Sequence, residues 1–175
     1  MSFEIDFLKS VIERFESYKA LGDKTFTQLT EEDFFARSSE TLNSIAMIIN
    51  HMNGNLLSRW TNFLTEDGEK PWRKRDAEFE DFKCSKEELI KLWEDGWACM
   101  FDTLRNLKAE DVEKTIYIRT EPLKVYDAII RQLMHYSYHV GQIVLYGKIL
   151  KGDNWRTLSI PKNKSNEFNS AMGVK

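Results

Sequence analysis

The chain has 175 residues, of which 25 are basic and 28 acidic, for a net charge of -3, and 42% are hydrophobic. That supplies a core for one domain over residues 1–175 and argues against a disordered chain. Near-balanced charge, with no interleaving of aromatics and basic residues, argues against nucleic-acid binding.

Helical periodicity dominates, and prolines occur only at Pro71, Pro122 and Pro161. The first helix is expected over about Ser2 to Leu21, with Phe7, Val11, Phe15 and Tyr18 on one side and Gly22-Asp23 as its stop. A short turn follows near Glu31 to Ala36. A second helix is expected from a cap at Ser39 or Thr41. Its apolar arc holds Ile45, Ile48, Ile49, Met52, Leu56 and Trp60. His51 lies about 60° from Ile48 on the helical wheel. It shares a polar strip with Ser44, Asn55 and Ser58.

Residues 66 to 83 are charged with both signs. They read as a long surface crossover between the second and third helices, anchored by Trp72, Phe79 and Phe82. So long a connection points to structure or function within it. Within it, Arg73-Lys74-Arg75 reads as solvated; Arg59, on the second helix before it, reads as a surface ion pair, with binding of a substrate carboxylate as the alternative. Ser85-Lys86-Glu87-Glu88 is a capping box that opens a third helix. Leu89, Trp93, Trp97 or Met100, and Leu104 form its stripe, and it should end near Lys108. Residues 111 to 120 alternate weakly, as a short extended piece would. The fourth helix is expected from about Pro122 to Leu150, with proline in its first turn. The tail, 153–175, reads as mostly irregular, with Trp155, Leu158 and Ile160 as candidates to pack back. The expected fold is all-α, a four-helix bundle with a long crossover between helices 2 and 3.

The stretch Gln132 to Gly147 has no Asp, Glu, Lys or Arg. It is short of the ~20 apolar residues that span a bilayer, so no membrane segment is expected. The start, Met1-Ser2-Phe3-Glu4-Ile5-Asp6, has acids where a signal peptide needs bases. Cys84 and Cys99 form no metal or redox motif and read as free thiols, which suits a reducing cytoplasm.

The three histidines carry the chemistry. His135 and His139 stand at i and i+4, on one helical face. Both lie in the most apolar segment, where an unpaired imidazole costs ~1–3 kcal/mol. His51, on another helix, can complete a facial set. Three neutral imidazoles leave metal positions open for water or substrate. Gln142 and Asn55, each about one turn from a histidine, are candidates to orient a ligand or substrate. Tyr136 and Tyr138 read as packing residues. No Ser-His-Asp or Cys-His set can be built without taking a histidine from this group.

The segments Asn50-His51-Met52-Asn53-Gly54-Asn55 with Arg59, Asp67-Gly68-Glu69-Lys70, His135-Tyr136-Ser137-Tyr138-His139-Val140-Gly141-Gln142 and Trp155-Arg156-Thr157-Leu158-Ser159-Ile160-Pro161 resemble the DinB-like superfamily of bacterial metalloenzymes. The likeness runs over nearly the whole chain. It implies a four-helix bundle with His51, His135 and His139 holding a divalent metal, zinc or nickel before iron or manganese. Relatives in that superfamily include bacillithiol transferases and the mycothiol-dependent maleylpyruvate isomerase, which use the metal with a low-molecular-weight thiol. The expected function is thus a metal-dependent thiol S-transferase with a small-molecule substrate. Metal-dependent hydrolysis and a non-catalytic metal- or ligand-binding stress protein are the alternatives. The aromatic surplus and the uncharged fourth-helix segment suggest a homodimer.

Overall fold

The computed structural model describes residues 2–173, and most of them are helical. Four long helices supply the core: α1 (Phe3–Phe26), α3 (Ile45–Trp60), α4 (Lys86–Asn106) and α5 (Val125–Lys151). A short α2 (Glu31–Phe35) bridges α1 and α3, and α6 (Ser165–Ala171) lies in the tail. Helix α3 packs along α4, and α1 along α5. Among the described residues, no helix is long and apolar enough to cross a membrane.

Capping residues set several boundaries. Thr30 with Asp33 and Ser85 with Glu88 each form a capping box, so α2 and α4 begin where expected. Helix α3 begins later than expected. Ser44 accepts from the Met47 backbone N–H at 3.2 Å, whereas the hydroxyls of Ser39 and Thr41 bond to each other. Helix α1 continues through Gly22-Asp23 to Phe26. Those residues serve contact with α4 rather than termination. A Cβ at position 22 would stand 2.5 Å from Trp93 Cζ2, and Trp93 Nε1 donates to the Asp23 carboxylate at 2.7 Å.

The expected start of the fourth helix at Pro122 is also corrected. Residues 115–124 form an antiparallel hairpin, β1 (Thr115–Ile118) and β2 (Glu121–Lys124), with Pro122 opposite Tyr117. Ile116 and Ile118 are buried, so the pair gains a packed face. Proline, which cannot donate to a ladder, is tolerated in so short a sheet. The two turn residues, Arg119 and Thr120, have φ of 56° and 65°. Both positive values fit the two-residue hairpin turn, which favours Asn-Gly. Here Asp67 compensates. Its carboxylate accepts from the backbone N–H groups of Arg119 (2.8 Å) and Thr120 (2.7 Å). The hairpin is thereby fastened to the crossover.

The core is aromatic. Trp60, Trp93, Trp97, Tyr136 and Phe15 are fully buried, and Phe15 meets Trp60 and Trp97 edge-on. A polar thread crosses it: Trp60 Nε1 donates to the Tyr136 hydroxyl, which donates to Asn55 Oδ1, both at 3.0 Å. Buried polar groups need such partners. The thread leads from the dry centre to the polar side of α3, where His51, Asn55, Ser58 and Arg59 are buried too. What covers that side is the crossover, 61–85.

Candidate metal centre

Helix α3 presents His51, and α5 presents His135 and His139 one turn apart. Their ring nitrogens lie within 4.8 Å of one another. His139 Nε2 is 3.0 Å from His135 Nε2, and His51 Nε2 is 3.4 Å from it. An ion bound at about 2.0–2.1 Å would hold its nitrogens about 2.9 Å apart in octahedral geometry and about 3.3 Å apart in tetrahedral geometry. The two separations from His135 lie close to that range, and the three residues are close enough to bind one metal ion.

The far side of two rings is fixed. His51 Nδ1 lies 2.8 Å from Glu78 Oε2, and His139 Nδ1 lies 2.8 Å from Gln142 Oε1. An acceptor on Nδ1 places the proton there and leaves the Nε2 lone pair free for a metal. Phe79 packs against the His51 ring, with centroids 4.7 Å apart. Burial, then the positive fields of His139 and His51, push His135 down to about 3; burial and then His51 push His139 to about 4. Both are neutral at physiological pH, the form that ligates.

Glu78 is the hinge of the arrangement. Burial would raise its carboxyl, but hydrogen bonds from Arg73 and His51 outweigh that and hold it below the usual range. Arg73 grips it with two nitrogens, Nε at 2.7 Å and Nη2 at 2.8 Å. Gly54 makes room for it, since a Cβ there would stand 2.3 Å from Glu78 Oε1.

The three predicted ligands come together, and Gln142 Oε1 lies 2.8 Å from His139 Nδ1. Asn55 accepts from Tyr136, and Glu78 orients the His51 imidazole. Other expectations need correction. Arg73 is not solvated, because its side chain is 1% exposed beside Glu78. Arg59 is not on the surface either: it is buried, 3.1 Å from Glu69, and donates to the Gly68 carbonyl. Of the proposed anchors, Trp72 is exposed, whereas Phe79 reaches His51. Tyr138 is largely exposed, its hydroxyl accepting from Gln142 Nε2. Glu78 and Gln132 were not singled out from the sequence. The one available signal for Glu78 was the length of the crossover that carries it.

A cavity of about 220 Å³ opens beside the cluster, with His51 and His135 in its wall. Neither cysteine lines it. Both are free, and burial pushes both thiols above their ordinary value, so neither is poised as a nucleophile.

Fold and site together define a mostly helical protein with a metal-competent three-histidine cluster between two of its long helices. The chain belongs to the family described as Protein of unknown function (DUF1572), whose match covers residues 2–164. No curated protein and no solved structure matches it.

Proposed function

We propose that the protein is a metal-dependent enzyme built on a DinB-like four-helix bundle, with α1, α3, α4 and α5 as the bundle and His51, His135 and His139 as ligands. The observation that carries the metal reading is the convergence of three Nε2 atoms whose Nδ1 partners are, for two of the rings, already engaged. Zinc or nickel suits such imidazole sets, and metal supply decides which is loaded. When bound, such a cation supplies a Lewis acid that favours the deprotonated form of a thiol or water.

The reaction we propose is transfer of a low-molecular-weight thiol to an electrophile, a reading that rests on the sequence resemblance. A sulfur–carbon bond forms, the bond from carbon to its leaving group breaks, and the thiol proton departs with that group. The thiol comes from outside the chain, which agrees with the absence of either cysteine from the cavity. Glu78 and Gln142 hold the imidazoles in position, and Phe79 shields the His51 ring.

Two measurements test this. Metal analysis of untagged protein should give about one ion per chain in wild type and loss of it in His139→Ala. Turnover of a model electrophile should require added thiol. Equal rates with and without thiol would replace transfer by hydrolysis. Bound metal with no turnover of any thiol or ester panel would leave a binding protein.

We also propose a homodimer through α5. Tyr126, Ile130, Met134, Tyr138, Leu145 and Ile149 are exposed on that one helix. The middle of that stripe, residues 132 to 147, has no Asp, Glu, Lys or Arg, so two copies meeting there would oppose no like charges at its centre. A monomer by light scattering at micromolar concentration would remove it.

A further inference from the structure

The cavity beside the histidines is lined by five arginines: Arg59, Arg73, Arg75, Arg119 and Arg131. No acidic residue lines it. The carboxylates behind the arginines are fewer. Glu69 serves Arg59 (3.1 Å) and Arg119 (3.0 Å) and lies 4.0 Å from Arg73 Nη1, Glu78 serves Arg73 (2.7 Å), and Glu121 lies 3.6 Å from Arg131. Arg75 instead lies over the Phe79 ring, 5.5 Å from its centroid. The wall therefore sets five guanidiniums against three ion-paired carboxylates, on side chains drawn from α3, the crossover, the hairpin turn and α5.

Two polar atoms in this wall are buried and lack a hydrogen-bond partner, Arg73 Nη1 and Gln132 Oε1. Such orphans are rare in folded proteins and ask for a partner. A guanidinium edge so placed matches an oxyanion, and the amide can meet a polar group attached to it. Self-repulsion among five guanidiniums is relieved by the same guest. The volume lies below the ~300–1,000 Å³ of drug-sized sites. It suits a small molecule, or the charged head of a larger one.

We propose that this cavity is the substrate's anion subsite: it takes a carboxylate or phosphate group and sets the neighbouring, reacting atoms against the wall formed by His51 and His135. The inference rests on the reading of the histidine cluster as the reaction centre and adds the class of substrate, a small organic anion. Arg73 and Arg59 are held from behind by Glu78 and Glu69, whereas Arg75, Arg119 and Arg131 are exposed at the mouth.

Calorimetric titration of the full chain with malonate, and in a separate arm with inorganic phosphate, tests it. Both arms use metal-loaded and chelator-treated protein. At least one anion should bind in both states, and more weakly as salt rises. The double variant Arg75→Gln/Arg131→Gln removes two exposed donors, so the fold should be retained. It should bind roughly tenfold more weakly or worse, with metal content unchanged. The arm that binds tells carboxylate from phosphate. No binding of either anion by wild type, or equal binding by the variant, overturns the subsite. Binding that vanishes on chelation yet survives the arginine substitutions puts the anion on the metal alone and also overturns it. If wild type holds no metal but binds the anion through the arginines, the subsite stands and the reaction-centre reading falls.

Discussion

The connection between α3 and α4 and the tail after α5 are alike on paper. Both are polar, both carry charges of each sign, and both have little regular structure. They part in the fold. In the connection, Lys70 is 4% exposed and Glu78 6%, while α6 in the tail buries none of its residues. The difference lies in what each charge meets. Glu78 meets His51 of α3 and the neighbouring Arg73, Glu69 meets Arg59 of α3, and Asp67 meets the hairpin turn. In the tail, Lys164 meets Glu167, three residues on and exposed. Exposed pairs of that kind contribute about 0–1 kcal/mol. A charged segment becomes a wall when complementary groups wait on the helices it crosses.

The hardest test of that comparison removes the carboxylate on which the wall turns. Glu78→Ala strips a partner from both His51 and the buried Arg73. Breaking a buried ion pair costs about 3–5 kcal/mol, because a charge is left uncompensated. Urea unfolding should show a loss of that order, and metal affinity should fall about 10–100-fold as the imidazole loses its orientation. A loss under about 1 kcal/mol would mean the connection is merely draped over α3.

Asp67→Asn is expected to cost about 2 kcal/mol, since its charge receives several backbone N–H groups. The pH dependence sharpens this. Burial would raise the Asp67 carboxyl, but the donors from Glu69, Thr120 and Arg119 outweigh it and hold it below the ordinary value. A depressed folded value means the stabilisation is complete above the unfolded value of about 3.9. It is lost as pH falls through the lower folded value. The stability gap between wild type and Asp67→Asn should therefore be steady near neutrality and narrow below about pH 4. A gap that stays constant in acid would show that the charge is not what holds the turn.

Gly54→Ala tests the same carboxylate more gently. Alanine favours a helix over glycine by up to about 1 kcal/mol. Here the added Cβ would press on Glu78 Oε1, which Arg73 and His51 hold in place. The propensity gain should be cancelled, and metal affinity should fall about tenfold. Metal titration beside unfolding separates the two effects.

These residues also mark what the sequence could tell. The i,i+4 pair His135/His139 was legible because helix geometry is local, and His51 because its strip was polar beside an apolar arc. The Ser85–Glu88 box announced α4 for the same local reason. Glu78 and Arg73 were not legible. Their partner on α3 lies 27 residues from Glu78, and no periodicity reports which charges meet across such a gap. Gly22 and Pro122 misled because each has two physical uses. Glycine ends helices but also admits a ring, here Trp93, and proline starts helices but also fits a short edge strand.

The smallest effect is expected where the comparison began, in the tail. Ending the chain after Lys164 removes α6, whose residues bury nothing. It leaves the contacts that do fasten the segment: the Gln28 amide bonds both the N–H and the carbonyl of Arg156, and Trp155 lies against the backbone of α5 at Gly147. Surface changes away from packed features usually fall within about 0.5 kcal/mol, and the truncated chain should unfold at the same urea concentration within that margin. A larger loss would mean that α6 covers something on another copy of the chain. Light scattering of the truncated protein then decides, because a dimer that falls apart without α6 would move the proposed contact from the exposed stripe of α5 to the tail.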